Sequence, residues 1–210
     1  MTKLTDKHFD VLIIGGGAAG ISCALTLGSG LSKPFALGKK IGMLAHQKAS
    51  SMQRAVFNNV FGIAPGTLGS DLLISSIDHL KQWYPDVEIM ENTRALSIQK
   101  NEHLFIITTA YGMLTAQNVV VAIGSGQPML IEGLEKYVEP NGKAHPDKQR
   151  IQLRNTDHLV DEGLYVAGTL AGSRSQLAIA MGSGAAVATD ILTLWNEGIP
   201  VQVHDALPKG

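Results

Sequence analysis

The chain has 210 residues, a length that fits one large domain. Seventeen basic and eighteen acidic residues give a formal net charge of -1, which removes the uniform cationic surface that nucleic acid or anionic lipid needs. A hydrophobic content of 45% excludes disorder, and a single cysteine, Cys23, excludes an intramolecular disulfide, a CxxC redox pair and a cysteine-rich metal site.

Phe9 to Ile14 is a short apolar, β-branched run and reads as a buried strand. The start, Met1 to Asp10, is polar and mixed in charge, unlike a secretory signal. Gly15-Gly16-Gly17-Ala18-Ala19-Gly20 follows the strand, and Ile21 to Leu27 continues as a helix of apolar and small residues. Lys33 to Leu37 reads as a second strand, which would complete a βαβ opening. Gly69 to Trp83 carries Leu72, Leu73, Ile77, Leu80 and Trp83 at helical spacing and stops before Pro85. Val87 to Met90, Ala95 to Gln99, Leu104 to Thr109 and Met113 to Thr115 read as an antiparallel meander, with turns at Asn101-Glu102 and Tyr111-Gly112. Asn118 to Ile123 is a further buried strand ending in Gly124-Ser125-Gly126. The polar stretch Gln127 to Asp161 reads as connections with one short strand near Ile151 to Leu153. Gly163 to Gly168 is a strand running into a turn, and Gln176 to Leu194 a long helix. Its apolar part, Leu177 to Thr189, is shorter than a bilayer span requires. Residues 1–210 are expected to form a single domain, with 199–210 a loosely packed C-terminal tail.

A strand, then GxGxxG, then a helix is the context in which this motif binds a dinucleotide. Gly15 allows the tight turn, Gly17 lets a pyrophosphate approach the backbone, and Gly20 lets helix and strand pack closely. The helix start then offers free N–H groups and partial positive charge to the phosphates. The usual acid for the ribose is absent, since no Asp or Glu occurs from Val11 to Ser70. Two arrangements stay open. Backbone and neutral groups hold the ribose, or Lys39 and Lys40, placed just beyond the second strand, face a 2′-phosphate as in an NADP site. The two lysines also read plainly as a solvated loop.

Further motifs resemble one family. DVLIIGGGAAGISCALTL, Asp10 to Leu27, resembles the FAD-binding start of thioredoxin-reductase-like flavoproteins. Asn59-Val60-Phe61-Gly62 is similar to their Asn-x-Pro-Gly segment beside the flavin. VVVAIGSG, Val119 to Gly126, resembles their Ala-Thr-Gly strand end. GLYVAG from Gly163, with Gln176-Leu177 and the helix after it, resembles their second flavin motif and last helix. The resemblance runs from about residue 8 to residue 197. It implies an α/β fold, a Rossmann-like FAD-binding domain with a parallel sheet, helices and an antiparallel β-meander. It implies FAD as cofactor, contacted by Gly15, Gly16, Gly17, Ala18, Ala19, Gly20, Gly38, Asn59, Thr93, Ala122, Gly124, Gly168, Thr169, Gln176 and Leu177. The helix start at Gln176 and Leu177 would stabilise negative charge on a reduced flavin.

The chain departs from the family pattern in three places. Thr169 stands where an Asp usually follows Ala-Gly, and Ile123 replaces the Thr of Ala-Thr-Gly. The interval between Gly126 and Gly163 is far too short for the nicotinamide domain, which needs on the order of 100 residues. The redox cysteine pair of that domain is missing as well, and Cys23, within the first helix, reads as a small buried hydrophobe. None of the seven histidines has convincing metal spacing, so no metal is expected. His46 lies in the region expected near the flavin, although a structural role is preferred for it. Arg174 could neutralise a reduced flavin, but a solvated helix-start arginine is the simpler reading.

The leading expectation is an FAD-binding flavoprotein, an oxidoreductase without disulfide reductase activity, fed by a diffusible donor or a partner protein. One alternative is a non-catalytic or degenerate flavin-binding module. A second is an NADP-binding reductase. The expected partners are flavin, NAD(P)H or a redox protein, and a second copy in a homodimer, with no nucleic acid and no membrane. A cytoplasmic location is the default.

Overall fold

The computed structural model describes residues 7–203. In chain order the strands and α-helices are β1 (Lys7–Ile14), α1 (Ala18–Gly30), β2 (Ile41–Ala45), β3 (Val56–Phe57), β4 (Thr67–Leu68), α2 (Gly69–Trp83), β5 (Val87–Glu91), β6 (Ala95–Asn101), β7 (Leu104–Thr109), β8 (Gly112–Val121), β9 (Val138–Pro140), β10 (Ile151–Leu153), β11 (Leu159–Asp161), β12 (Leu164–Val166) and α3 (Leu177–Trp195).

The main sheet runs in the order β11-β12-β8-β1-β2-β5. Five of these strands are parallel: β12 to β8, β8 to β1, β1 to β2, and β2 to β5. The sheet is buried on both faces, so its central strands end in continuous apolar runs, Val11–Ile14 in β1 and Val119–Val121 in β8. Val11 and Ile13 point to one face with Met43, where α1, α2 and α3 supply Leu27, Leu73 and Ile191. Leu12, Ile14 and Leu44 point to the other, against Ile98, Phe105, Ile107, the loop residue Leu134 and Leu153 of β10. Helices, parallel sheet and meander therefore form three layers, the arrangement the motifs imply.

The structure corrects four expectations. Lys33–Leu37 is not a strand. Pro34–Ala36 forms a single 3-10 turn, with Pro34 at its start, and the strand comes later at Ile41–Ala45. Val87–Met90 is not the first meander strand, because β5 pairs in parallel with β2 at the sheet edge. The meander consists of β6, β7 and β8. Met113–Thr115 and Asn118–Val121 are one strand, β8, which pairs with β1 from Lys7↔Leu114 to Ile14↔Val121. A buried Asn118 interrupts its apolar pattern, and its Nδ2 donates to the Asp10 carbonyl at 3.1 Å. Finally, the helix expected from Gln176 to Leu194 is α3, and taken whole it is long and apolar enough by length and composition to cross a membrane, although its apolar part alone is too short. Here it is a core helix, with Val187, Ala188, Ile191 and Leu192 fully buried.

Three other expectations hold. α2 covers the predicted residues, Ile151–Leu153 is a strand, and Cys23 is fully buried, which pushes its thiol pKa far up. At the expected tail, Val201 and Val203 lie against the helical core, and the Val201 amide donates to Thr193 Oγ1 at 3.2 Å. Residues 204–210 of that expectation lie outside the described residues.

Candidate dinucleotide site

The carboxyl ends of the parallel strands are where an open α/β sheet binds ligands. β1 ends at Ile14, and the chain turns at once through Gly15, whose φ is +126°. The Gly15 amide donates to Leu44 at 3.0 Å, while the Ala122 amide donates to Ile14 at 2.8 Å. A Cβ on Gly15 would lie 2.4 Å from the Ala122 oxygen. Gly20 is equally constrained, since its Cβ would lie 1.9 Å from the Gly15 oxygen. Gly16 would press its Cβ to 2.9 Å from Gln47 Cγ. These three glycines let the loop close on the strand ends.

Gly17 differs from them. It caps α1 in an ordinary extended conformation, and a Cβ there would meet only Ser50 Oγ, at 3.7 Å. Space in front of Gly17 is therefore kept for something else. No side chain caps α1 and no acid stands in its first turn, so the amides of Ala18, Ala19 and Gly20 face that space without an internal partner. This is the pattern of a phosphate cradle.

The second half of the site comes from the far end of the sequence. Gly168 follows β12 with φ +74°, and its amide donates to Ser183 Oγ at 2.8 Å. A Cβ on Gly168 would touch Ala19 Cβ at 3.0 Å, and one on Gly184 would lie 2.0 Å from the Ala19 oxygen. The start of α1 is thus locked, through Gly168, to Ser183 and Gly184, about two turns into α3. Thr169 lies in the short turn Gly168–Ala171, and Asn141 Nδ2 donates to its carbonyl at 3.0 Å. Gln176 caps α3 and is exposed, as is Arg174, while Leu177 is buried.

The structure therefore gathers Gly15, Gly16, Gly17, Ala18, Ala19, Gly20, Ala122, Gly124, Gly168 and Thr169 around one end of the sheet, while Gln176 and Leu177 open α3 about two turns before the Ser183 and Gly184 that meet this end. Gly124 has φ +83° and open space where its Cβ would be. Asn59 is exposed on the excursion between β3 and β4. Thr93 is buried in the turn after β5, its hydroxyl donating to the Glu91 carbonyl at 3.1 Å. Gly38 is not brought to this end. It precedes β2 and sits at the amino side of the sheet, because the second strand begins only at Ile41.

Lys39 and Lys40 lie at that amino side too, which corrects their placement beside a 2′-phosphate. Lys39 Nζ pairs with Asp10 Oδ1 at 2.9 Å and lies 5.5 Å above the Trp195 ring. The Lys40 amide donates to Asp10 Oδ2 at 2.8 Å.

At the true end of β2 stand His46 and Gln47. Gln47 Nε2 donates to the Gly16 carbonyl at 3.0 Å and to Leu73 at 3.2 Å, which fixes the loop. Both His46 ring nitrogens are buried without a hydrogen-bond partner. Burial, then the charges of Arg94 and Lys48, lower the His46 pKa; the Asn92 backbone opposes this without a hydrogen bond of normal geometry. Gln47, Ser50, Ser183 and Arg94 were not singled out in the sequence. Placing the second strand at the Ile41-Gly42-Met43-Leu44 run would have brought the first two into view.

The residues present fit a dinucleotide on two observations: backbone closures that a Cβ would destroy, and uncapped amides at an open Gly17. Two surface depressions lie elsewhere. One is lined by Lys100, Asn118, Gly163 and Tyr165, the other by residues of the β6–β7 turn, and neither includes a residue of the glycine loop.

Residues 9–184 match the family model described as pyridine nucleotide-disulphide oxidoreductase. A protein named ferredoxin--NADP reductase from Leuconostoc mesenteroides is 27% identical over 198 residues, covering 94% of this chain and 51% of the relative. Ferredoxin--NADP reductase 3 from Lysinibacillus sphaericus is 32% identical over 142 residues, covering 63% of this chain and 38% of the relative. The chain thus spans about half the length or less of these relatives. Among solved structures, a thioredoxin reductase from Gloeobacter violaceus superimposes with a TM-score of 0.72 at 14% identity, covering 96% of this chain and 100% of that one. A ferredoxin-flavin thioredoxin reductase from Clostridium acetobutylicum gives 0.65 at 16% identity, covering 91% and 99%. The fold is that of the thioredoxin reductases, and by the extent of the family match the chain belongs to the pyridine nucleotide-disulphide oxidoreductase family.

Proposed function

We propose that the chain binds FAD and acts as an oxidoreductase, taking electrons from NAD(P)H or from a partner redox protein. The observation that carries this reading is the uncapped start of α1 on a glycine-lined end of the parallel sheet, braced there by Gly168 and by Ser183 and Gly184 of α3. Bound there, FAD would supply the electron-transfer chemistry that the side chains lack. The first-turn amides of α1 would bind the pyrophosphate, and the start of α3 would oppose negative charge gathering on the flavin. Gly168 and the hydroxyl of Thr169 stand where the family pattern has a glycine and an acid. The names of the relatives, which join ferredoxin and NADP, support a redox protein or a nicotinamide dinucleotide as the electron source. The lone buried Cys23 leaves the chain without a dithiol of its own.

The test is the visible spectrum of the purified protein with and without added FAD, then anaerobic addition of NADPH, NADH and reduced ferredoxin. Bound flavin that is bleached by one of the three is expected. A protein that takes up no FAD removes the reading, and one that binds FAD but is reduced by none becomes a binding module.

A second reading rests on Arg94 and Lys48, the cations near the end of β2. They would suit the 2′-phosphate of NADP(H) in the glycine loop. NADPH binding to the flavin-free protein, weakened in R94A, is its required signature.

A further inference from the structure

His46 is the one described side chain whose buried polar atoms have no partner. Every imidazole has at least one N–H to donate, and a neutral one also has a lone pair to fill. Native structures rarely leave such groups idle, and a bound ligand is one thing that completes them. The position supports a ligand. His46 directly follows β2, next to the Gln47 that holds the Gly16 carbonyl. The end of β5 lies alongside, its Asn92 amide donating to Ala45 at 2.8 Å. This is the place where a dinucleotide site of this topology puts a carboxylate for the adenosine ribose. No acid is available from Val11 to Ser70, and the nearby Glu91 is paired with Lys81.

We propose that His46 is the ribose-binding residue of this chain, a neutral imidazole that donates to one adenosine hydroxyl and accepts from the other. The proposal rests on the FAD reading above. A neutral ring suits a diol, since it offers both a donor and an acceptor. The flanking cations Arg94 and Lys48 oppose the imidazolium, which could only donate. The residue is partly exposed although its nitrogens are covered, so its accessible surface lies on other atoms. A half-turn about Cβ–Cγ exchanges the nitrogen and carbon positions of the ring, a motion of low cost for histidine.

The test is a flavin-fluorescence titration of wild type, H46A and H46E, with FAD and with an FAD analogue bearing 2′-deoxyadenosine. H46A should weaken FAD about five- to fiftyfold, while H46E, which restores an acid, should stay within about threefold of wild type. Loss of the 2′-hydroxyl should weaken binding to wild type and leave H46A unaffected. Unfolding of ligand-free H46A at or above the wild-type temperature shows that the loss is not one of folding. A folded H46A that binds FAD as tightly as wild type overturns the proposal and leaves the FAD reading standing. Equal loss from the deoxy analogue in both proteins also overturns it. Wild type that fails to bind FAD removes the FAD reading itself, and this proposal with it.

Discussion

The two ends of the parallel sheet obey opposite rules. At the amino end the charges of Lys7, Asp10 and Lys39 are answered. Asp10 takes Lys39 and the Lys40 amide, Asn118 takes the Asp10 carbonyl, and Lys7 pairs with Glu88. At the carboxyl end the α1 amides are uncapped, Gly17 faces open space and His46 has no partner. An end whose groups satisfy one another supports the fold. An end whose groups are held in place but left open is the one the proposed dinucleotide would complete.

Several experiments can break or sharpen that contrast. The largest effect belongs to G20A and G184A, whose new methyl groups would lie 1.9 and 2.0 Å from backbone oxygens. Backbone cannot yield as a side chain can, so each should cost about 3 kcal/mol or more in chemical denaturation. Normal stability in either variant would mean that the α1 contacts are looser than described.

G17A should do the reverse. Its methyl group has room, so stability should fall by less than about 1 kcal/mol. FAD affinity should fall at least about tenfold, because the methyl group occupies the phosphate approach. Unchanged affinity in titration would detach the open space from ligand binding.

A smaller effect concerns pH. The folded pKa of His46 lies below its usual 6.5, so folding opposes protonation. The stability associated with its neutral form is complete above pH 6.5 and is lost as pH falls through the lowered folded value. Melting temperatures taken from about pH 8 to about pH 5 should therefore drop more for wild type than for H46Q. Parallel curves would show that His46 does not carry this dependence.

K39A at the amino end should have the smallest effect. Its partly exposed ion pair with Asp10 should contribute less than about 1 kcal/mol, and FAD binding should not change. Weaker FAD binding in K39A would contradict the division between the two ends.

What the sequence disclosed follows from the same physics. The glycine loop was legible because only glycine fits where Gly15 and Gly20 approach backbone oxygens. The length of α2 was legible because its apolar spacing stops cleanly before Pro85. β2 was not, because Gly42 weakens its strand pattern; the glycine is there so that the Phe9 ring can pass within 2.7 Å of where a Cβ would be. Misplacing β2 moved Gly38, Lys39 and Lys40 to the wrong end of the sheet and hid the importance of His46. Strand direction has no local signature, so β5 looked like part of the meander. A buried Asn118 concealed the continuity of β8, because its partner, the Asp10 carbonyl, lies far away in sequence.

The joining of α1 to α3 through Gly184 and Ala19 also sets an order of events during synthesis. The glycine loop is translated early, yet the helix that braces it emerges only after β12. Until then the face of α1 that meets Gly168 and Gly184 lacks its partner, and the second half of the site is missing. Such distant closure makes folding slow relative to local helix formation. On the FAD reading proposed above, cofactor capture follows translation through α3, and a nascent chain arrested in the meander should bind no flavin.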